Sequence, residues 1–273
     1  MPATPFTDPD LVAGLLYATA ERLAQRTSAL HAAKISGGDA TATIVELAAC
    51  SAAPSPVVCD IGCGRGTTTL QLAARLAPTR LIAVDQSQAL LDTVAERLGD
   101  AGHTVETVCA DFHHVPLPEA SIDVAVAAFC LYHSPQPEHV VAEIARCLTG
   151  GGRAVLVTKS ADSYQEIDQL IVEAKLDPHA AERQSLYGTF NGDTAPDIVA
   201  TSLRVEQVLR QQHVFRFAGL DQLASYVATS PKYHLPEHLT GDAGRLADEL
   251  RRRLPDRPVI TTSTISYVTA VRP

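Results

Sequence analysis

Between residues 57 and 159 the chain switches repeatedly between short apolar runs and helix-like segments. Residues 57–61 (VVCDI), 80–85 (RLIAVD), 103–111 (HTVETVCAD), 120–130 (ASIDVAVAAFC) and 153–159 (RAVLVTK) read as strands. Residues 66–76, 87–100 with Ser87 as cap, and 137–152 stopped by glycines read as helices between them. Buried strands alternating with helices imply a parallel sheet covered on both faces, and right-handed crossovers make it doubly wound. Such sheets bind ligands beyond the carboxyl ends of their strands, near the point where strand order reverses. The 273 residues suit one large domain or one domain with an insertion.

The flanks differ from this middle. Residues 7–34 predict a helix: Asp8 caps it, Pro9 suits its first turn, and Leu11, Leu15, Leu16, Leu23 and Leu30 recur near helical spacing. "ISGGDA" breaks it, and 41–50 predict a second helix. These residues, 1–50, are expected to form an N-terminal helical cap, with 51–273 as the main domain. After residue 160 come a helix (160–177), a stretch of mixed polarity with Tyr187 and Phe190, a strand at 205–217, two helices, and a β-rich end at 258–273. The net charge of −9 argues against binding nucleic acid by neutralising phosphates. Six cysteines form no C-x-x-C, and most sit in apolar runs, so a reducing, cytoplasmic setting is expected. No leader peptide or membrane-spanning run is expected at the N-terminus or elsewhere.

The stretch VVCDIGCGRG asks for a particular ligand. Gly62, Gly64 and Gly66 are spaced G-x-G-x-G, and Thr67 stands where the dinucleotide fingerprint needs glycine. No lysine follows to serve a phosphate loop. Asp60, just before the loop, would repel a pyrophosphate but suits an ammonium group. Asp85 ends the second strand, where a carboxylate can accept two hydrogen bonds from a ribose diol. Asp111 ends the third, where it can accept from an adenine amino group with Phe112 beside the ring. The implied ligand carries an amine, a ribose and an adenine, and no phosphate. S-adenosylmethionine fits that description.

With those residues in view, the chain resembles the class I S-adenosylmethionine-dependent methyltransferases. VVCDIGCGRG is similar to the family's first motif, LIAVDQS to its second with Gln86 after Asp85, and residues 109–157 to its third to fifth. The likeness is close over roughly residues 55–160. It implies seven strands in the order 3-2-1-4-5-7-6 with the last antiparallel, and lid segments around 177–203 and 218–256. It implies cofactor contacts from Asp60, Gly62, Gly64, Asp85, Gln86, Asp111, Phe112 and Ala128, and from the backbone of Cys63. His133, in LYHSP after the fourth strand, stands where the family places substrate-facing groups. A histidine there suits a general base, against the plainer reading of a structural histidine. Tyr17 and Tyr187 are the other candidate acceptor contacts.

Other residues read more plainly. His113 and His114 are adjacent and point different ways, so no metal site is expected. Arg65 suits either the surface or the ligand's carboxylate, and Arg251, Arg252 and Arg253 read as a solvated helix face. The expected activity is methyl transfer to a small organic acceptor at O, N or C, as in specialised metabolism. RNA or protein methylation, or cofactor binding without catalysis, are the alternatives. Oligomeric state is left open, a homodimer being one option.

Overall fold

A computed structural model describes Thr7 and residues 28–50, 54–230 and 232–273. Most of the first predicted helix, with its Asp8 cap and Tyr17, therefore lies outside the described residues; residues 28–33 are helical. The described elements run β1 (Lys34–Ser36), α1 (Ala40–Ala49), β2 (Val57–Ile61), α2 (Thr67–Leu76), β3 (Arg80–Asp85), α3 (Gln88–Asp100), β4 (Glu106–Cys109) and β5 (Ile122–Ala128). There follow α4 (Pro137–Cys147), β6 (Leu148–Lys159), α5 (Gln165–Glu173), α6 (Ala195–Ala200), β7 (Arg204–Phe217), α7 (Leu220–Val227), α8 (Ala243–Arg253) and β8 (Val259–Val271).

The strands form one mixed sheet in the order β1-β7-β8-β6-β5-β2-β3-β4. This corrects the expected count of seven and the order stated with it. The difference is β1, a three-residue edge strand antiparallel to β7, with Lys34 opposite Phe215. Counted without β1, the remaining strands read 3-2-1-4-5-7-6. β2 pairs in parallel with β3 and β5, β3 with β4, and β5 with β6. β8 lies antiparallel to β6, from Arg153 opposite Val271 to Lys159 opposite Ile265.

The described residues divide into two compact units. The first holds residues through Gly37, Ala161–Gly188 and Gln211–Thr264. The second holds Gly38–Ser160, Thr189–Arg210 and Ile265–Pro273.

The central strands of the second unit explain their sequence. Val58, Cys59, Asp60 and Ile61 of β2 are all buried, which is why this run is apolar without alternation. One core joins Val58, Ala83 and Val124 of the sheet to Leu72 of α2 and to Leu91 and Val94 of α3. Ile44, Val45 and Ala48 of α1 pack into that same core. Each large aliphatic side chain buried this way stabilises the fold by roughly 1.5–3 kcal/mol. Ser87 caps α3 by accepting from the Leu90 N–H at 3.4 Å, and Asp39 caps α1 through Ala42 at 3.1 Å. The helix expected over 137–152 ends at Cys147, and the three glycines lie inside β6. Leu148 is already extended, so the glycines do not stop the helix; Gly151 turns with φ +77° and donates to the Arg272 carbonyl at 2.9 Å.

Candidate active site

Within the second unit, the carboxyl ends of β2, β3, β4 and β5 carry most of the predicted residues. The loop after β2 needs its glycines for packing as much as for access. Gly62, Gly64 and Gly66 all have positive φ, at +66°, +54° and +73°. A side chain at Gly62 would meet the Cys130 Cβ at 2.6 Å, and one at Gly66 a methyl of Val94 at 2.9 Å. The Gly62 and Cys63 N–H groups donate to the Val84 carbonyl at 2.8 and 3.1 Å, fastening the loop to β3. Cys63 and Cys130 are buried, and burial pushes both thiols well up, so neither is a reactive thiolate.

Asp85 is the fulcrum of the loop. One carboxylate oxygen accepts from the Gly64 N–H at 3.0 Å and the other from the Ser87 N–H at 2.9 Å. It thus ties the glycine loop to the N-terminus of α3, a role beyond the ribose contact its position suggests. Each oxygen keeps a second lone pair for a ligand hydroxyl. Burial raises its pKa, and the backbone donors, Ser87 first and Gly64 next, oppose that rise.

Asp60 is 2% exposed, and the Thr69 hydroxyl at the start of α2 donates to it at 2.6 Å. Burial is the main reason its pKa climbs to about 7; the Thr69 bond opposes the rise and the Asp85 charge adds to it. An ammonium group placed beside Asp60 would draw it back to the ionised form, so the residue suits a cationic ligand.

Gln86 is exposed, and its carbonyl accepts from the Cys109 thiol at 3.5 Å. Asp111 is exposed and Phe112 half-buried, with the Phe112 ring 4.9 Å from that of His113. Ala128 closes β5 opposite Val157. Phe129 follows it with φ +59°, a left-handed backbone that a bulky residue rarely adopts, and the Lys159 ammonium sits 5.6 Å from its ring centre. His133 lies half-buried in the short 3-10 turn Leu131–His133, its ring 4.6 Å from the Tyr132 ring.

Tyr187 belongs to the first unit, where it lines a small pocket with Asp168, Tyr226, Lys232 and Tyr233. Arg65 is half-buried, and its Nε is buried without a hydrogen-bond partner. Arg251 pairs with Asp221 and Asp256, and Arg253 with Glu249, so the run at 251–253 is engaged in surface ion pairs. Among the described residues no group of three or more His, Cys, Asp or Glu could hold a metal ion. None of their helices is long and apolar enough to cross a membrane.

Residues 59–156, which include the loop, the three acids and His133, match the family described as "Methyltransferase domain". Over these residues the chain is similar to methyltransferase domains. An uncharacterized 37.1 kDa protein of transposon Tn4556 from Streptomyces fradiae is 31% identical over 176 residues, 64% of this chain and 51% of that protein. The 27-O-demethylrifamycin SV methyltransferase of Amycolatopsis mediterranei is 28% identical over 182 residues, 57% of this chain and 65% of that enzyme. Among solved structures, the geranyl diphosphate C-methyltransferase of Streptomyces coelicolor, in complex with S-adenosyl-L-homocysteine, shares the fold. It has a TM-score of 0.51 and 15% identity, covering 85% of this chain and 77% of that one. The chain spans about half the length of the curated relatives it matches.

Two features of this region escape a reading of its sequence. Thr69, in the first turn of α2, holds Asp60 from nine residues away, and Ser134 reaches His113 from 21 residues away. Neither spacing carried a signal in the sequence.

Proposed function

We propose that the protein transfers a methyl group from S-adenosylmethionine to a small organic acceptor through an O, N or C nucleophile. The observation that carries the cofactor is Asp85. Its carboxylate is locked to a glycine loop that has no phosphate-binding lysine, at the strand end where a ribose diol would meet it. Asp60, Gly62, Gly64, Gln86, Asp111, Phe112, Ala128 and the Cys63 backbone complete the cofactor contacts in this reading. A small acceptor is supported by the net charge of −9 and by the rifamycin enzyme among the relatives.

When bound, that cofactor supplies a methyl group already activated by its sulfonium. The chain's own work is alignment and exclusion of water, which contributes several kcal/mol and up to roughly 7–11 in favourable cases. Asp60 holds the ammonium end, Asp85 the ribose and Asp111 the adenine. His133 takes a proton at a ring nitrogen where the acceptor's nucleophile carries one. Tyr17 and Tyr187 belong to acceptor recognition in the same proposal, as do the lid segments 177–203 and 218–256.

Thermal denaturation with candidate ligands tests this reading. S-adenosylmethionine at a hundred times its dissociation constant should stabilise the protein by about 2.7 kcal/mol, and NADH should not. The opposite ranking would overturn the assignment.

A further inference from the structure

Asp111, His113 and Ser134 form a hydrogen-bonded chain across the mouth of the second unit's sheet. The His113 Nδ1 lies 2.7 Å from Asp111 Oδ1, and its Nε2 lies 2.7 Å from Ser134 Oγ. The His113 N–H donates to the same Asp111 Oδ1 at 2.9 Å. Ser134 is fully buried, and its Oγ accepts from the Gln136 N–H at 2.9 Å.

For a neutral imidazole these contacts give one consistent set of proton directions. A carboxylate 2.7 Å from Nδ1 requires a proton on that nitrogen, since two acceptors would repel. In the neutral imidazole Nε2 is then an acceptor. Ser134, with a lone pair occupied by Gln136, donates its hydroxyl proton to Nε2. The chain runs Ser134 O–H to Nε2, then Nδ1–H to Asp111 Oδ1.

Its consequence falls on Asp111. Both bonds from His113 converge on Oδ1, and the other oxygen, Oδ2, takes neither. The Asp111 side chain is otherwise 66% exposed, so without the His113 ring only the backbone N–H of residue 113 would hold it, and it would be freer to rotate. We propose that His113 is a positioning residue that fixes Asp111 with Oδ2 presented to the exocyclic amine of adenine. It gives the site its preference for a 6-amino over a 6-oxo purine. The proposal rests on the methyltransferase reading above. Ser134 anchors the arrangement to the segment that carries His133, so the adenine end and the acceptor end of the site share one support. Ser134 is too deeply buried to act as a nucleophile, which separates this chain of contacts from a hydrolase triad despite the shared residue types.

Calorimetric titration of the full-length protein with S-adenosylhomocysteine and S-inosylhomocysteine tests it, with thermal melts to verify folding. The wild type should prefer the adenine ligand by roughly tenfold or more, the worth of one hydrogen bond to a charged group. His113→Ala, which keeps the backbone N–H bond to Asp111 but loses the ring bond, should lower that preference severalfold while S-inosylhomocysteine binds as before. His113→Asn, which keeps a donor near the Nδ1 position, should restore much of it. His113→Gln, which reaches only toward Ser134, should not. Retention of the full preference in a folded His113→Ala or His113→Gln protein would overturn the role of His113 while leaving the methyltransferase reading intact. Absence of binding by the wild type to either ligand would overturn both.

Discussion

Asp60 shows what burial does to a single carboxyl. Its pKa stands near 7, chiefly because burial disfavours the charge, against an ordinary value of 3.8. Between about pH 4 and 7 the native state therefore keeps a proton that the unfolded chain has released. Stability must fall as pH rises through that window and level off above it. Asp60→Asn keeps an acceptor for Thr69 and cannot ionise. Relative to wild type it should gain about 2–3 kcal/mol between pH 5 and pH 8, measured by urea denaturation without ligand. A difference that stays constant across those pH values would mean that Asp60 is ionised in the folded protein. The same residue shows how far a sequence can be read. Its place before the glycine loop was legible because the motif is local. Its partner Thr69 and its raised pKa were not, because both follow from the way α2 folds back over β2. Asp85 was picked out by its place at the end of β3, while its role as a loop clamp follows only from the geometry.

Elements are held together by charge as well as by apolar burial. In the first unit, Asp168 of α5 is 6% exposed and accepts from the Lys232 ammonium at 2.5 Å and the Tyr233 hydroxyl at 2.9 Å. Burial raises the Asp168 pKa, and Lys232 followed by Tyr233 works against that rise. Removing only the cation leaves the buried carboxylate uncompensated. Lys232→Ala should therefore cost about 3 kcal/mol, and the double change Asp168→Leu with Lys232→Met clearly less. Equal losses in urea denaturation would show that the pair is a solvated surface contact. This network could not be foreseen, since 64 residues separate its members. Strand limits behaved differently. RLIAVD was read at its observed bounds because buried parallel strands are unbroken apolar runs. Lys34 was read as the end of the first helix and Ile35 and Ser36 as part of the break after it, since three residues carry no period and Gly37 beside them reads as a stop. What makes them a strand is the partner β7, and Gly37 serves a close approach to the His213 ring, with Cβ room of only 2.6 Å.

At the scale of the molecule, the telling fact is that β7 and β8 each contribute residues to both compact units. β7 is divided after Arg210 and β8 after Thr264. A strand cannot stay ordered over half its length while its core-forming half unfolds, so the two units should open globally together. Ligand linkage exposes this. S-adenosylhomocysteine at a hundred times its dissociation constant adds about 2.7 kcal/mol to the global unfolding free energy, which slows globally exchanging amides about a hundredfold. In hydrogen exchange, the slowest amides of β5 and β6 should gain that factor. So should the slowest amides of α5 and of the 259–264 half of β8, although they belong to the first unit. Amides at the short edge strand β1, which exchange by local fraying, should gain far less. Protection confined to the second unit would mean that the units unfold independently despite the shared strands. Cooperative protection would make a destabilising change in the first unit, such as Lys232→Ala, lower the ligand-linked stability of the whole protein.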